Sequence, residues 1–187
     1  IRNKFHRDAA MIYDLKDQYY VRSVLESDLD GPYPTWFEDQ DVCRYNSHGK
    51  FIKNRNYFKD YFNDLNREDR MVWAICHKQD GHIGNISLQD IRQINRTAEF
   101  AIILGDRRHW KKGVGLKVGI KLIEHGFYKL NLNRIYCGTA ASNVGMQRLA
   151  VNLGMTHEGT RRQHLYLEGC RVDMLEYGIL RNEFQRA

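Results

Sequence analysis

GDRRHWKKGVGL, residues 105–116, joins a strand-like apolar run to a long helical pattern. In the first turn of a helix several amide N–H groups lack intrahelical partners, and the helix dipole is positive. Gly113 and Gly115 let a ligand approach the backbone closely. Positive charge is added by four basic residues: Arg107, Arg108, Lys111 and Lys112. The stretch is therefore suited to binding a pyrophosphate group.

Two common nucleotide-binding patterns do not fit this stretch. A Walker A loop requires a glycine, four residues and then Gly-Lys-Ser/Thr, a spacing that does not occur here. A Rossmann fingerprint requires a third glycine three positions after the second, where Val118 stands. A purely structural interpretation stays open. In it, Gly113 and Gly115 only allow close packing of a helix on a sheet, and the basic residues form a solvated surface.

The composition is that of one folded domain of ordinary size. The 187 residues are 42% hydrophobic and include only two prolines, which excludes a disordered or collagen-like chain. No apolar run approaches the roughly 20 residues that span a bilayer, so no membrane partner is expected. The net charge of +6 favours an anionic partner. Because the basic residues are scattered and no RNA-binding signature occurs, we do not expect nucleic acid to be that partner.

The cysteines predict reduced thiols rather than metal ligands or disulfides. They are widely separated, form no CxxC pair and have no histidine at a metal-ligand spacing. The four residues are Cys43, Cys76, Cys137 and Cys170. We therefore expect no metal, and we expect a cytoplasmic location, since a chain of this size does not need disulfides for stability.

Hydrophobic periodicity predicts an α+β domain. The predicted strands are 19–25, 71–77, 82–91, 97–104, 134–139 and a final hairpin turning at Glu168-Gly169. The predicted helices are 53–66, 114–130 and 144–153. Antiparallel hairpins combined with one strand–helix–strand unit imply a mixed sheet. Residues 1–17 show no clear period and are predicted to form an N-terminal arm, with a single domain over 18–187.

Residues 110–115 resemble the acetyl-CoA pyrophosphate loop of the GNAT N-acetyltransferase superfamily, whose pattern is Gln/Arg-x-x-Gly-x-Gly/Ala. Trp110 replaces the Gln or Arg, a departure common in the branch that contains ribosomal-protein N-terminal, polyamine and amino-sugar acetyltransferases. Further segments resemble the family in the same order along the chain. They are residues 95–104, 132–136, Asn143 with 153–155, and the hairpin 168–173.

This resemblance implies the GNAT fold, in which a mixed, mostly antiparallel central sheet is flanked by helices and splayed between two strands. It also implies acetyl-CoA as co-substrate, with pantetheine lying between the splayed strands and pairing with strand backbone. The corresponding cofactor-binding positions are Ile102, Ile103 and Leu104 on the strand, Trp110, Lys111, Lys112, Gly113, Val114, Gly115 and Leu116 in the loop, and Asn143. Asn143 also fits the role of a helix N-cap, and the two roles are compatible.

The resemblance further implies a general base. Attack on a thioester requires a neutral amine, so some group must accept a proton. Similar enzymes often carry a glutamate where Glu99 stands, and we expect Glu99 to be catalytic; the alternative is a cross-strand ion-pair partner. Related polyamine enzymes have a tyrosine where Ala150 stands. The leaving thiolate would then depart without a dedicated acid, or with His109, Tyr136 or water in that role.

The acceptor region resembles that of acetyltransferases acting on amino sugars. Its candidate substrate-binding residues are Tyr33, Trp36 and Phe37, which would stack on a sugar or base; core packing is the alternative for each ring. The expected acceptor is thus the primary amine of a small molecule, an amino sugar or nucleotide-linked amino sugar.

Other functions stay open on the sequence alone. A protein N-terminus or a polyamine is an alternative acceptor, and a polyamine would require several acidic residues to line the pocket. Those residues are Glu26, Asp28, Asp30, Glu38, Asp39 and Asp41. A non-catalytic acyl-CoA-binding module is a further alternative, and a homodimer is compatible with all of these functions.

Overall fold

The computed structural model describes residues 12–50, 54–65 and 67–185. Within these residues the helices are α1 (Arg55–Asp64), α2 (Val114–Tyr128) and α3 (Val144–Asn152). The strands are β1 (Ile12–Asp14), β2 (Tyr19–Ser23), β3 (Met71–His77), β4 (Gly81–Arg92), β5 (Thr97–Leu104), β6 (Arg134–Ala140), β7 (Thr156–Leu167) and β8 (Cys170–Leu180). Short 3-10 helices cover Glu26–Asp30, Pro34–Phe37, His48–Lys50 and Arg107–His109. None of the helices in this part of the chain is long and apolar enough to cross a bilayer.

One mixed sheet contains all eight described strands, in the order β1-β2-β3-β4-β5-β6-β8-β7. Neighbouring strands are antiparallel except β5 and β6, which run parallel. A parallel pair needs a long crossover connection, and α2 provides it. The predicted α+β class, mostly antiparallel sheet and flanking helices are confirmed.

β1 is a strand that the sequence analysis did not predict. Residues 12–14 pair with β2, Tyr13 lying opposite Val21, so this part of the predicted arm belongs to the sheet. Three residues are too few for a periodic pattern to be recognised. Residues 1–11 of the predicted arm lie outside the described residues, and the boundary of the domain at residue 18 stays a prediction.

α2 packs against one face of the sheet through a wide apolar surface. Val114, Val118, Leu122, Ile123 and Phe127 are fully or almost fully buried in the main hydrophobic core. Two glycines bring the helix axis close to its neighbours. A methyl group on Gly119 would lie 2.9 Å from Leu153 Cδ2, and one on Gly126 would lie 2.8 Å from Ile135 Cδ1. The glycines that permit close packing are therefore in the second and fourth turns of α2.

A second, aromatic core covers the opposite face of the sheet. Its buried members are Leu29, Tyr33, Trp36 and Phe58. Side chains alternate between the two faces along a strand, so Arg22 points away from the main core that contains its neighbour Val21. The Arg22 guanidinium donates two hydrogen bonds of 2.7 Å to Asp28, which ties the second core to β2.

The sheet opens between β5 and β6. These strands pair only where Thr97–Glu99 lie opposite Arg134–Tyr136. Beyond that point β5 stays paired with β4 as far as Leu104, and β6 stays paired with β8 as far as Ala140. The two strands therefore diverge and leave a wedge-shaped slot with Glu99 and Tyr136 at its narrow end. The splayed sheet expected from the family resemblance is confirmed.

Candidate functional site

The slot is bordered on one side by unpaired backbone groups of β5. The Gly105 N–H donates to Ile83 O at 3.0 Å, which fixes the alternation of hydrogen-bonding directions along β5. Backbone groups of successive residues point to opposite strands. Those of Ile103 are therefore directed to β4, and those of Ile102 and Leu104 are directed to the slot. Of the three residues predicted to offer backbone groups to pantetheine, Ile102 and Leu104 direct theirs to the slot and Ile103 does not.

Trp110 contacts β5 at the wide end of the slot. Its indole N–H donates to the Leu104 carbonyl at 2.7 Å, so this carbonyl is already satisfied. The ring holds the end of β5 against the loop that precedes α2. Trp110 therefore has a structural contact that explains its presence where the family pattern has Gln or Arg.

The loop at the start of α2 presents free amides. Gly113 is the N-cap residue of α2, and no side chain of the described residues caps it. The first intrahelical bond runs from the Lys117 N–H to the Gly113 carbonyl, so the N–H groups of Val114, Gly115 and Leu116 precede the hydrogen-bond ladder. Such a helix start attracts anions.

Gly113 is required by the backbone rather than by packing. Its φ is +75°, in the left-handed region, and a methyl group there would meet no atom within 4 Å. A methyl group on Gly115 would make only ordinary contacts, at 3.4 Å from Leu149 Cδ2 and 3.6 Å from Ile102 Cδ1. The interpretation that these glycines serve only close packing is therefore wrong. The contact between Gly115 and Ile102 also shows that the first turn of α2 lies beside the slot.

The four basic residues of this stretch divide into two pairs. Arg107 forms ion pairs with Asp39 and Asp41, and Arg108 binds Asp106 through two nitrogens. Lys111 and Lys112 are exposed and form no ion pair with a described residue. The arginines therefore have structural partners, and the two lysines next to the free amides remain available to an anion.

Asn143 caps α3, as one of its two interpretations predicted. Its side-chain oxygen accepts from the Met146 N–H at 3.1 Å, and its own N–H donates to Ala140 O at the end of β6. The residue thus lies where β6, one wall of the slot, ends. A contact with pantetheine stays a prediction.

Glu99 lies at the narrow end of the slot and is half-buried. Burial raises the pKa of its carboxyl group, the nearby charge of Asp90 raises it further, and Arg161 opposes both. No hydrogen bond or ion pair joins the Glu99 carboxylate to a described residue. The cross-strand ion pair considered as an alternative is therefore not formed.

Tyr136 faces Glu99 across the end of the paired segment. Its hydroxyl donates to Asp90 Oδ2 at 3.2 Å, and burial followed by the Asp90 contact raises its pKa, so it stays protonated. The sequence analysis did not identify Asp90. The register of β4 and β5 shifts between Gln89 and Arg92, and no spacing rule predicts that this irregularity brings Asp90 close to Glu99.

Tyr33 and Trp36, for which an acceptor-stacking role was predicted, are packing groups in the structure, in line with the alternative of core packing. Tyr33 is 1% and Trp36 4% exposed. The two rings contact each other edge to face at 5.4 Å, and the Trp36 ring lies under Gly105, where a methyl group would overlap it. Phe37 is half-buried and packs on Tyr33 at 5.5 Å. Residue type alone does not distinguish a core ring from a binding ring.

Three of the six acidic residues considered for a polyamine pocket are ion-paired with arginines. Asp28 is buried against Arg22, and Asp39 and Asp41 bind Arg107. Near the slot, the carboxylate without an ion-pair partner among the described residues is Glu99, and Asp90 beside it is paired with Arg92 at 3.0 Å.

Comparisons with known proteins agree with this geometry. The family model described as "Acetyltransferase (GNAT) domain" matches residues 19–156. The "Uncharacterized N-acetyltransferase p20" of Bacillus licheniformis is 32% identical over 161 residues, covering 79% of this chain and 90% of that protein. The spermidine N(1)-acetyltransferase of Vibrio cholerae is 26% identical and covers 95% of this chain and 90% of that protein.

The solved structures include a ribosomal-protein α-N-acetyltransferase, RimL, in complex with coenzyme A. It superposes with a TM-score of 0.82 at 16% identity, covering 91% of this chain and 98% of that chain. The likeness to this structure concerns the fold, whereas the family model and the Bacillus licheniformis relative establish kinship by sequence. The chain therefore belongs to the GNAT family and is an N-acetyltransferase.

Proposed function

We propose that the chain transfers an acetyl group from acetyl-CoA to a primary amine, with the slot between β5 and β6 as the donor site. The observation that carries this proposal is the divergence of β5 and β6 directly beyond Glu99. It provides an extended, hydrogen-bonding opening that ends at a carboxylate without an ion-pair partner among the described residues.

The donor would be held by two sets of groups. The free amides of residues 114–116, with Lys111 and Lys112 beside them, suit the pyrophosphate. The slot-facing backbone groups of Ile102 and the N–H of Leu104 suit the amides of pantetheine. This arrangement supports both the loop and the strand parts of the predicted cofactor site, with Ile103 removed.

Acetyl-CoA supplies an activated thioester. Glu99 accepts a proton from the amine nitrogen as the C–N bond forms and the C–S bond breaks. The sulfur leaves with the bond electrons and takes a proton. Of the two side chains considered for that proton, Tyr136 lies at the narrow end of the slot, whereas His109 is buried beside Tyr19 on the far side of the loop. Tyr136 is therefore the better candidate.

For the acceptor we propose a cationic alkylamine of the polyamine kind. The spermidine acetyltransferase of Vibrio cholerae supports this choice by sequence along nearly the whole chain. The Glu99 carboxylate supports it physically, because it has no ion-pair partner among the described residues and would attract a cation, whereas Asp90 beside it is paired with Arg92. An amino-sugar acceptor has less support, because Tyr33 and Trp36, the rings expected to stack on it, are buried. It is tested as the competing class of acceptor.

A panel of acceptors tests the proposal. The protein is incubated with acetyl-CoA and polyamines, amino sugars or N-terminal peptides, and loss of the thioester is followed by its absorbance. This readout avoids thiol reagents, because the exposed Cys170 would react with them. We expect polyamine-dependent turnover. Turnover with amino sugars or peptides alone would reject the acceptor, and coenzyme A binding without turnover on any amine would reject the reaction.

A further inference from the structure

Three side chains of metal-ligating type meet on the far side of the loop from the slot. They are His77 at the end of β3, Asp80 in the β3–β4 turn, and His109 in the 3-10 helix that leads to the pyrophosphate loop. One ligand atom from each lies within 4.8 Å of the other two. This His77–Asp80–His109 cluster joins two segments that are far apart in sequence, so spacing along the chain gives no sign of it.

The distance between Asp80 and His109 fits coordination of a shared ion, whereas His77 and Asp80 are at ion-pair distance and would have to separate slightly around a bound ion. His77 Nδ1 lies 2.6 Å from Asp80 Oδ2, and His109 Nε2 lies 3.3 Å from the same oxygen. Two ligand atoms bound tetrahedrally at zinc distances of 2.0–2.1 Å are about 3.3 Å apart. The Asp80 carboxylate and the His109 nitrogen are therefore separated by one edge of such a tetrahedron.

The buried nitrogen of His109 has no hydrogen-bond partner. The residue is 3% exposed, and Nε2 forms no hydrogen bond with any described residue, although Asp80 Oδ2 is near. An unsatisfied buried polar atom is costly and calls for an explanation. A cation within the cluster would satisfy this nitrogen.

The other side of the His109 ring is already held in place. Its Nδ1 forms a 3.0 Å hydrogen bond with the hydroxyl of buried Tyr19, and the two rings meet edge to face. With the proton on Nδ1, the Nε2 lone pair is directed into the cluster. A hydrogen bond from the second ring nitrogen is the usual support of a metal-binding histidine.

The surrounding charges leave room for a cation. Asp106 Oδ2 lies 3.9 Å from His109 Nε2 and adds a second carboxylate. Arg108 binds Asp106 and approaches Asp80 at 3.2 Å, but it does so at Oδ1, the oxygen that faces away from the histidines. Two carboxylates against one guanidinium leave a net negative charge at the cluster.

We propose that His77, Asp80 and His109 bind one divalent transition-metal ion, with Zn²⁺ as the ion that fits best. Two imidazole nitrogens and one carboxylate oxygen are the ligand types zinc accepts, and they are not those of Mg²⁺ or Ca²⁺. Water completes the coordination. The bound ion would clamp the β3–β4 turn to the segment directly ahead of the pyrophosphate loop.

Zinc titration of the metal-free, untagged protein tests this site. We expect one Zn²⁺ per chain by calorimetry, a melting temperature that rises with Zn²⁺ concentration, and visible absorption of tetrahedral Co²⁺ after substitution. Asp80→Asn and His77→Gln, both at partly exposed positions, should each lower zinc affinity at least about tenfold. His157→Gln, which removes an exposed histidine on β7, should leave it unchanged.

The outcomes separate the alternatives. Loss of binding in the two cluster variants, with wild-type circular dichroism, supports the site. Equal binding by the wild-type chain and by both cluster variants would overturn it, as would the absence of stoichiometric binding by the wild-type chain. None of these readouts depends on acetyl transfer, so a failed acceptor panel does not affect the result.

Discussion

The carboxyl group of Glu99 is held in conditions that suit a general base. It is half-buried, it lacks an ion-pair partner among the described residues, and burial together with Asp90 raises its pKa. A raised pKa means that the group becomes protonated at a higher pH than a free glutamate. The base should therefore be present at neutral pH and be lost as the pH falls through the raised pKa.

Replacing Glu99 by Gln tests this role. We expect Glu99→Gln to lower kcat by about 10²–10⁴-fold at neutral pH, the range attributed to general-base catalysis. The affinity for coenzyme A should not change, and the acid limb of the pH–rate profile should disappear. Glu124→Gln, on α2 and ion-paired with Lys121, is the matched control and should retain activity. An unaltered kcat in the Glu99 variant would exclude Glu99 as the base.

At this scale the sequence singled out Glu99, whose catalytic role stays a prediction, but it did not predict the surroundings of that residue. Glu99 was identified through the family resemblance, since similar enzymes often carry a glutamate at that position of the central strand. Asp90 and the two histidines of the cluster could not be found that way, because a register shift and a turn bring them into place. The burial of Tyr33 and Trp36 could not be predicted, because aromatic rings have the same composition signal in a core and in a binding pocket.

The glycines at the start of α2 and within it have two different roles, one in backbone conformation and one in packing. Gly113 gives the backbone a left-handed residue before the first turn, which frees the amides that face the slot. Gly119 and Gly126 bring the body of the helix onto its neighbours. The apolar periodicity predicted the helix and its buried side, whereas the closeness of packing depends on contacts with distant residues and could not be predicted.

Gly126→Ala tests the close packing. The added methyl would lie within 3 Å of both Ile135 Cδ1 and Leu88 Cδ1 in the core, and overpacking of this kind costs about 1–3 kcal/mol of unfolding free energy. Urea denaturation measures the loss. Gly145→Ala in α3 is the control, since the nearest atom is 3.7 Å away; it should be neutral or stabilising by up to about 1 kcal/mol. Similar stabilities for the two variants would contradict the packing argument.

Over the whole molecule, the two hydrophobic cores are joined across the sheet by the Arg22–Asp28 pair. Both side chains are more than nine-tenths buried, and Asp28 also accepts from the Leu25 N–H. Burial alone would raise the pKa of Asp28, but Arg22, His82 and the Leu25 N–H together outweigh it and hold that pKa well below its usual range. The pair therefore stabilises the fold above the pKa of a free aspartate, about 3.9, and this contribution is lost as the pH falls further.

Asp28→Asn should show the strength of this link. Removing one partner leaves the Arg22 charge buried and uncompensated, which costs about 3–5 kcal/mol. We expect a large loss of unfolding free energy at pH 7 and a smaller difference from the wild type in acid, measured by denaturation across pH. Asp14→Asn removes an exposed carboxylate and should have little effect. A difference that stays constant down to acid pH would argue against the pair.

Two hairpins and the mixed character of the sheet could be predicted at this scale from local signals, whereas the order of the strands in the sheet was not predicted. Turn residues at 80–81 and 168–169 fixed two hairpins, and one strand–helix–strand unit fixed the parallel pair. The slot itself came from the family resemblance, because periodicity predicts where strands are and not where neighbouring strands stop pairing.

The limited pairing of β5 with β6 divides the sheet into two parts. β1–β5 form one plate and β6–β8 another, and the described backbone pairs them along a seam only three residues long, Thr97–Glu99 with Arg134–Tyr136. Helix α2 bridges this short seam, because Gly126 lies against both Leu88 of β4 and Ile135 of β6. A molecule lodged in the gap touches both plates, so filling the gap and setting the angle between the plates are thermodynamically linked, and an occupant that prefers one angle stabilises it.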